Sequence, residues 1–162
     1  MEPVIWLVTG VTTFVAALLA QRHPRARQVG RLALATLFLA GGALVNGLYL
    51  LGGTDYADFA DASYLPFVTE TWRAVVAPTQ ELWIGLLVLF EATVGVLVLL
   101  PGRAVQVGLV AAMVFHVLLL PFGWFFSAWS IPMLVALALL LRAERQVAAA
   151  PTDAARDVVA VQ

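Results

Sequence analysis

Between Leu82 and Leu100 the chain runs for nineteen residues with a single ionisable side chain, Glu91, at the centre. At about 1.5 Å per residue, a helix of that length matches the roughly 30 Å hydrocarbon core of a bilayer. Nine residues flank Glu91 on either side. In a spanning helix its carboxyl group therefore sits near the midplane, where a charged side chain costs at least roughly 2.5–3.5 kcal/mol. Such a side chain must face protein or water. Composition points the same way. Hydrophobic residues make up 62% and charged residues 12% of the chain, against roughly 45–50% and 25% in soluble domains, and 162 residues cannot hide that excess in a core. The expected class is all-α, a polytopic transmembrane helix bundle.

The chain has no Cys, which excludes a disulfide, a thiolate nucleophile or a Cys-ligated metal of its own; redox chemistry would need a cofactor or a partner. A net charge of −1 provides no attraction to nucleic acid.

Val4 to Ala20 is a first apolar run of seventeen residues. No basic segment precedes it and an arginine cluster follows it, so it reads as a span rather than a signal peptide. Thr9, Thr13, Ala16 and Ala20 recur at helical spacing and form a small face suited to close packing. The next loop, residues 21 to 31, carries Arg22, Arg25, Arg27 and Arg31, the pattern of a cytoplasmic connection. Leu32 to Leu51 is a second span, broken by Gly41, Gly42, Asn46 and Gly47. Ala35, Gly42 and Asn46 share one helical face, which allows a close neighbour and offers it a hydrogen bond.

Residues 52 to 80 form the one sizeable polar segment, with Asp55, Asp58, Asp61 and Glu70 against a single Arg73. Alternation of sides puts this segment outside, and its shortage of basic residues independently agrees. Within it, Pro66 opens and Pro78 closes an expected interfacial helix with Val68, Trp72, Val75 and Val76 on one face. The aspartates lack the glycine and final glutamate of an EF-hand loop, so they read as a solvated acidic loop.

After the central span, Pro101 to Arg103 makes a turn. Val107 to Leu141 then runs for thirty-five residues without a formal charge, far too long for one crossing, so it is expected to fold as a hairpin of two spans. Pro121, Phe122 and Gly123 supply the bend between Ala104–Leu120 and Trp124–Leu141, with a kink expected at Pro132. Five spans follow, within one bundle over 1–146, leaving 147–162 as a short frayed or disordered cytoplasmic tail. The scheme places eight arginines inside and one outside, with the N-terminus outside and the C-terminus in the cytoplasm of a cell-membrane protein. Trp6, Trp72, Trp83, Trp124 and Trp129 all fall near the outer interface.

Three polar side chains then lie at membrane depth: Asn46, Glu91 and His116. They are the candidate ligand-binding or proton-relay groups. Gly42, Gly95, Gly108 and Ala112 are the small residues expected to leave room beside them, and Trp83 and Trp124 are expected near the mouth of a pocket. A mutually satisfied packing network is the competing reading. No second His lies in the spans to pair with His116 around a haem. No metal site is expected, and no Ser-His-Asp, HExxH, phosphate-loop or dinucleotide pattern occurs.

From Arg31 onward the segments GRLALATLFLAGGALVN and LLVLFEATVGVLVLLPGRAVQVGLVAAMVF resemble the DoxX family of small bacterial and archaeal membrane proteins. The likeness lies in a span with a central Glu, a leucine run, a short Arg-bearing turn and a small-residue span. It covers about two-thirds of the chain. The resemblance implies a four-helix unit, here preceded by one extra N-terminal span, and an association with membrane redox processes such as those of the small subunits of a thiosulfate:quinone oxidoreductase. It carries over Glu91. The chain departs from the family in having Asn46 where a Lys is common and Gly95 alone where a glycine pair follows the Glu. The functional expectation is a redox-associated subunit of a quinone-linked oxidoreductase, with quinone as a diffusible, non-covalent cofactor held between helices. Its partners would be the bilayer and either a redox subunit or further copies of the chain. The alternative is a non-catalytic scaffold or a small-solute transport component.

Overall fold

Two prolines open helices at positions where a missing N–H costs nothing, Pro24 after His23 and Pro66 after Leu65. The computed structural model describes residues 2–149. They form five helices: α1 (Glu2–Leu19), α2 (Pro24–Leu51), α3 (Pro66–Leu99), α4 (Arg103–Phe122) and α5 (Trp124–Ala149). No strand occurs among the described residues. The last four helices are long and apolar enough to cross a membrane, and α1 is a shorter apolar helix. The chain has the build of a multi-pass membrane protein. Of the expected tail, 147–162, the first three residues continue α5 to Ala149 and the rest lies outside the described residues.

Each helix packs on the one before it, and α5 closes the ring against α1 and also touches α2. Leu34, Val98, Leu109, Leu137 and Leu140 fill the centre, all fully buried. Small residues set the approach of the helices. Thr13, Ala16 and Ala17 bury one stripe of α1, continued by Ala20 just past its end, and Gly30 of α2 lies against Ala16 and Leu140. A Cβ on Gly108 would come within 2.9 Å of Leu97 Cβ and 3.0 Å of the Val98 nitrogen, so α4 and α3 meet there almost backbone to backbone. Outward, Leu7, Val11, Leu48, Leu89, Val96, Val117 and Ile131 are exposed all round the bundle. An apolar periphery of that extent is stable only against lipid or another apolar surface.

Two departures from regular α-geometry shape the interior. Leu37–Leu44 of α2 winds as a π-helix, and in its wide turn the Gly41 carbonyl takes a bond from the Trp6 indole N–H at 2.8 Å. In α3 the expected short helix does begin at Pro66, but Pro78 does not close it. A π turn (Trp72–Val76) and a 3₁₀ turn (Ala77–Thr79) lead directly into Gln80–Leu99. The Thr79 hydroxyl donates to the Val75 carbonyl at 2.7 Å. The backbone leaves helical geometry at Thr79, at φ −128° and ψ 35°.

The connection between α4 and α5 bends at Leu120–Phe122 and Gly123, as expected from Pro121 and Gly123, and α5 runs through Pro132 and past Leu141 to Ala149. The loop 52–65 folds back over this end of the bundle. Tyr64 N–H and the Ser63 hydroxyl both donate to the Pro121 carbonyl, at 3.1 and 2.7 Å. The Trp72 indole donates to the Tyr56 carbonyl at 2.7 Å, and the Thr69 hydroxyl to that of Ala60 at 2.8 Å.

The opposite end is arginine-rich. The Arg31 guanidinium donates to the carbonyls of Val98, Leu99 and Leu100, each at 2.9 Å. These carbonyls end α3 and have no helical partner of their own, so one side chain caps the whole terminus. Glu144 of α5, buried, pairs with Arg27 at 3.4 Å and Arg31 at 3.6 Å. One cluster therefore joins α2, α3 and α5.

Candidate functional site: an aromatic cavity with three polar groups

The closed ring of helices leaves a cavity of about 540 Å³ within it. All five helices and the loop 52–65 contribute to its wall. On α3, Ile84, Leu87 and Glu91 line it at i, i+3 and i+7, one helical face. On α2 Phe38, Gly42 and Asn46 do the same. Trp6 comes from α1, Phe115 and His116 from α4, and Phe126 and Trp129 from α5, while Tyr56, Phe59 and Trp72 close the end beside the loop. Nearly all of this surface is apolar carbon, and much of it is aromatic. A few polar groups in an otherwise apolar concavity is the usual build of a small-molecule site.

The polar groups are Asn46, Glu91 and His116, so the structure brings all three expected residues to one cavity. Asn46 Nδ2 donates to Glu91 Oε2 at 2.9 Å. The carboxyl lies flat against Gly42, where a Cβ would stand 2.6 Å from Oε1 and 2.7 Å from the carboxyl carbon. Glycine at 42 is thus a condition for Glu91 being where it is. Nδ1 of His116 bonds to the Ala112 carbonyl one turn earlier, at 2.8 Å. The edges of Phe38 and Phe115 hold the imidazole, with ring centroids 6.2 and 5.6 Å away.

The remaining expected residues divide. Gly42 and Trp83 line the cavity, whereas Gly95, Gly108, Ala112 and Trp124 do not. Gly95 is filled from α2, since a Cβ there would stand 2.6 Å from Leu39 Cγ. Gly108 serves the α3–α4 contact, and Ala112 is in the core and contributes only its carbonyl to His116. Trp124 is 71% exposed at the start of α5. The small-residue argument therefore found close helix contacts as readily as free space.

Sequence reasoning missed the aromatic wall. Trp6, Trp72 and Trp129 read as interface residues, yet they line the cavity, with Trp6 and Trp129 packed at 6.3 Å. Phe59 stacks on Trp72 at 4.9 Å and touches Phe122 and Phe126, forming an aromatic plug beneath the loop. A signal did exist: Phe126, Trp129 and Met133 follow each other at three and four residues, the face that α5 turns inward. Among the described residues no group of three or more His, Asp or Glu side chains comes together as a metal cage. Compared with family models, curated proteins and solved structures, the chain finds no match in any of the three.

Proposed function

We propose that the protein is a DoxX-like integral membrane protein of the cell membrane that binds a quinone or similar flat apolar ring between its helices. On this reading it serves as the membrane subunit of a quinone-linked redox system. The observation that carries the reading is the coincidence of an aromatic-walled cavity with three polar side chains from three helices, Asn46, Glu91 and His116. Polar side chains at membrane depth are costly and mark functional pathways. Here they border open space as well as bonding, Asn46 to Glu91 and His116 to Ala112. The volume, about 540 Å³, lies within the range of small-molecule sites. Asn46, Glu91 and His116 anchor the ring's oxygens, and the aromatic side chains hold its faces. The redox partner supplies or removes electrons, because the chain has no redox group of its own.

Tryptophan fluorescence tests this directly, since Trp6, Trp72, Trp83 and Trp129 line the cavity. A short-chain quinone in its reduced form is expected to quench saturably, with affinity reduced about tenfold in Glu91→Gln and in His116→Ala, the scale of one lost hydrogen bond. Unchanged binding in both variants removes the site assignment. Absence of any saturable binding leaves the scaffold or transport reading in its place.

The same proposal includes five spans, α1 among them, with the N-terminus outside and the C-terminus in the cytoplasm. The arginine-rich end, with Arg22, Arg25, Arg27, Arg31, Arg103, Arg142 and Arg145, is the inner one by the positive-inside rule. Arg25 and Asp58 are both exposed. Cysteines placed there are expected to react with an impermeant maleimide from opposite sides of sealed vesicles, Asp58→Cys from outside. Labelling of both from one side would end the scheme.

A further inference from the structure

We infer, resting on the ring-binding reading above, that the group the ligand presents to His116 is a hydroxyl, so that the cavity selects a hydroquinone or other phenolic ring over the oxidised quinone. The chemistry of the wall leads there. A carbonyl oxygen can only accept, so the 2.8 Å contact with Ala112 puts the imidazole proton on Nδ1. With the ring neutral, Nε2 carries a lone pair, and His116 is part of the cavity wall. Turning the ring over would place carbon against the Ala112 carbonyl, and the edges of Phe38 and Phe115 hold it in place.

Three donors elsewhere on the wall already have partners. The indole N–H of Trp6 is bonded to Gly41 and that of Trp72 to Tyr56, and Asn46 Nδ2 is bonded to Glu91. A quinone carbonyl brought to Nε2 would set lone pair against lone pair. A hydroxyl on the same ring supplies the missing proton. A site built to bond a hydroxyl discriminates against the analogue lacking it, because its own polar group is left unpaired.

The test uses the full chain in lipid nanodiscs without oxygen, titrated calorimetrically against empty nanodiscs. Three probes share one skeleton: trimethylhydroquinone, trimethylbenzoquinone and the dimethyl ether of the hydroquinone. The hydroquinone is expected to bind about tenfold more tightly than the other two, and His116→Phe, which keeps a ring and removes the acceptor, is expected to abolish that preference. Equal binding of hydroquinone and quinone to the wild-type protein overturns this inference while leaving the cavity as a ring site, and it does so without any variant. A preference that survives in a folded His116→Phe protein also overturns it, because the selecting group then lies elsewhere. If none of the three probes binds saturably, the ring-binding reading fails with it.

Discussion

Arg31→Ala is expected to destabilise the bundle by about 3 kcal/mol, the low end of what removal of one member of a buried ion pair costs. Three carbonyls at the end of α3 lose their only donor, and Glu144 is left with Arg27 alone. The low end applies because part of the guanidinium remains open to water, which can take over two of the exposed carbonyls. Arg22, Arg25 and Arg27 stay in place, so the basic character of that end is kept and the loss is one of packing. Arg31→Lys is expected to recover less than half, since an ammonium on a flexible stem cannot span three carbonyls and a carboxylate as a planar fork does. Unfolding in mixed micelles of increasing dodecyl sulfate content, followed by Trp fluorescence, measures both. A loss below about 1 kcal/mol in Arg31→Ala, the scale of an ordinary exposed ion pair, would show that the cluster is merely superficial.

Gly123→Ala is the second large effect, expected at about 3 kcal/mol and confined to one end of the molecule. Gly123 has φ +119° and ψ 175°, a region essentially restricted to glycine and worth roughly 1–3 kcal/mol of strain for other residues. A Cβ would also stand 2.5 Å from the Ala62 carbonyl oxygen, a backbone atom that moves only if loop 52–65 moves. Gly53→Ala separates the two contributions: its φ is +72° but nothing lies within 4 Å of the added carbon, so about 1 kcal/mol of strain alone is expected. In Gly123→Ala the amide of Tyr64, bonded to the Pro121 carbonyl, should exchange its hydrogen faster while amides in the middle of α3 and α5 stay protected. Equal losses in the two variants, or unchanged exchange at Tyr64, would dismiss the steric argument.

These residues also mark what could be read from the chain beforehand. The apolar helices were legible because lipid demands long apolar runs, and because Pro121–Gly123 divides the last two; that α2 and α3 begin as early as Pro24 and Pro66 was not. Glu91, His116 and Asn46 were legible because an ionisable or amide group in such a run is conspicuous against its background. The aromatic lining was not, because Trp and Phe suit an interface, a core and a ligand wall equally, and only the phase between helices tells them apart. That phase depends on the π turn at Leu37–Leu44 and the break at Thr79; Gly41, Gly42 and Pro78 mark the places, but not how far each turns the faces that follow. Arg31 and Glu144 were legible as charges at helix ends; that they meet depends on α5 continuing past Leu141 to Ala149.

The circular order of the helices has a consequence for biogenesis. Because α2, α3 and α4 each dock on their predecessor, most of the bundle can accumulate in the order of synthesis, through contacts local in sequence and therefore quick to form. One seam must wait. Until α5 leaves the ribosome, Arg27 and Arg31 have no Glu144 to meet, Gly30 has no Leu140, and Trp6 has no Trp129. The last helix made is thus the one that seals the cavity and neutralises the charges planted by the second, and a nascent chain stalled before it would expose both to whatever quality-control machinery surveys the membrane.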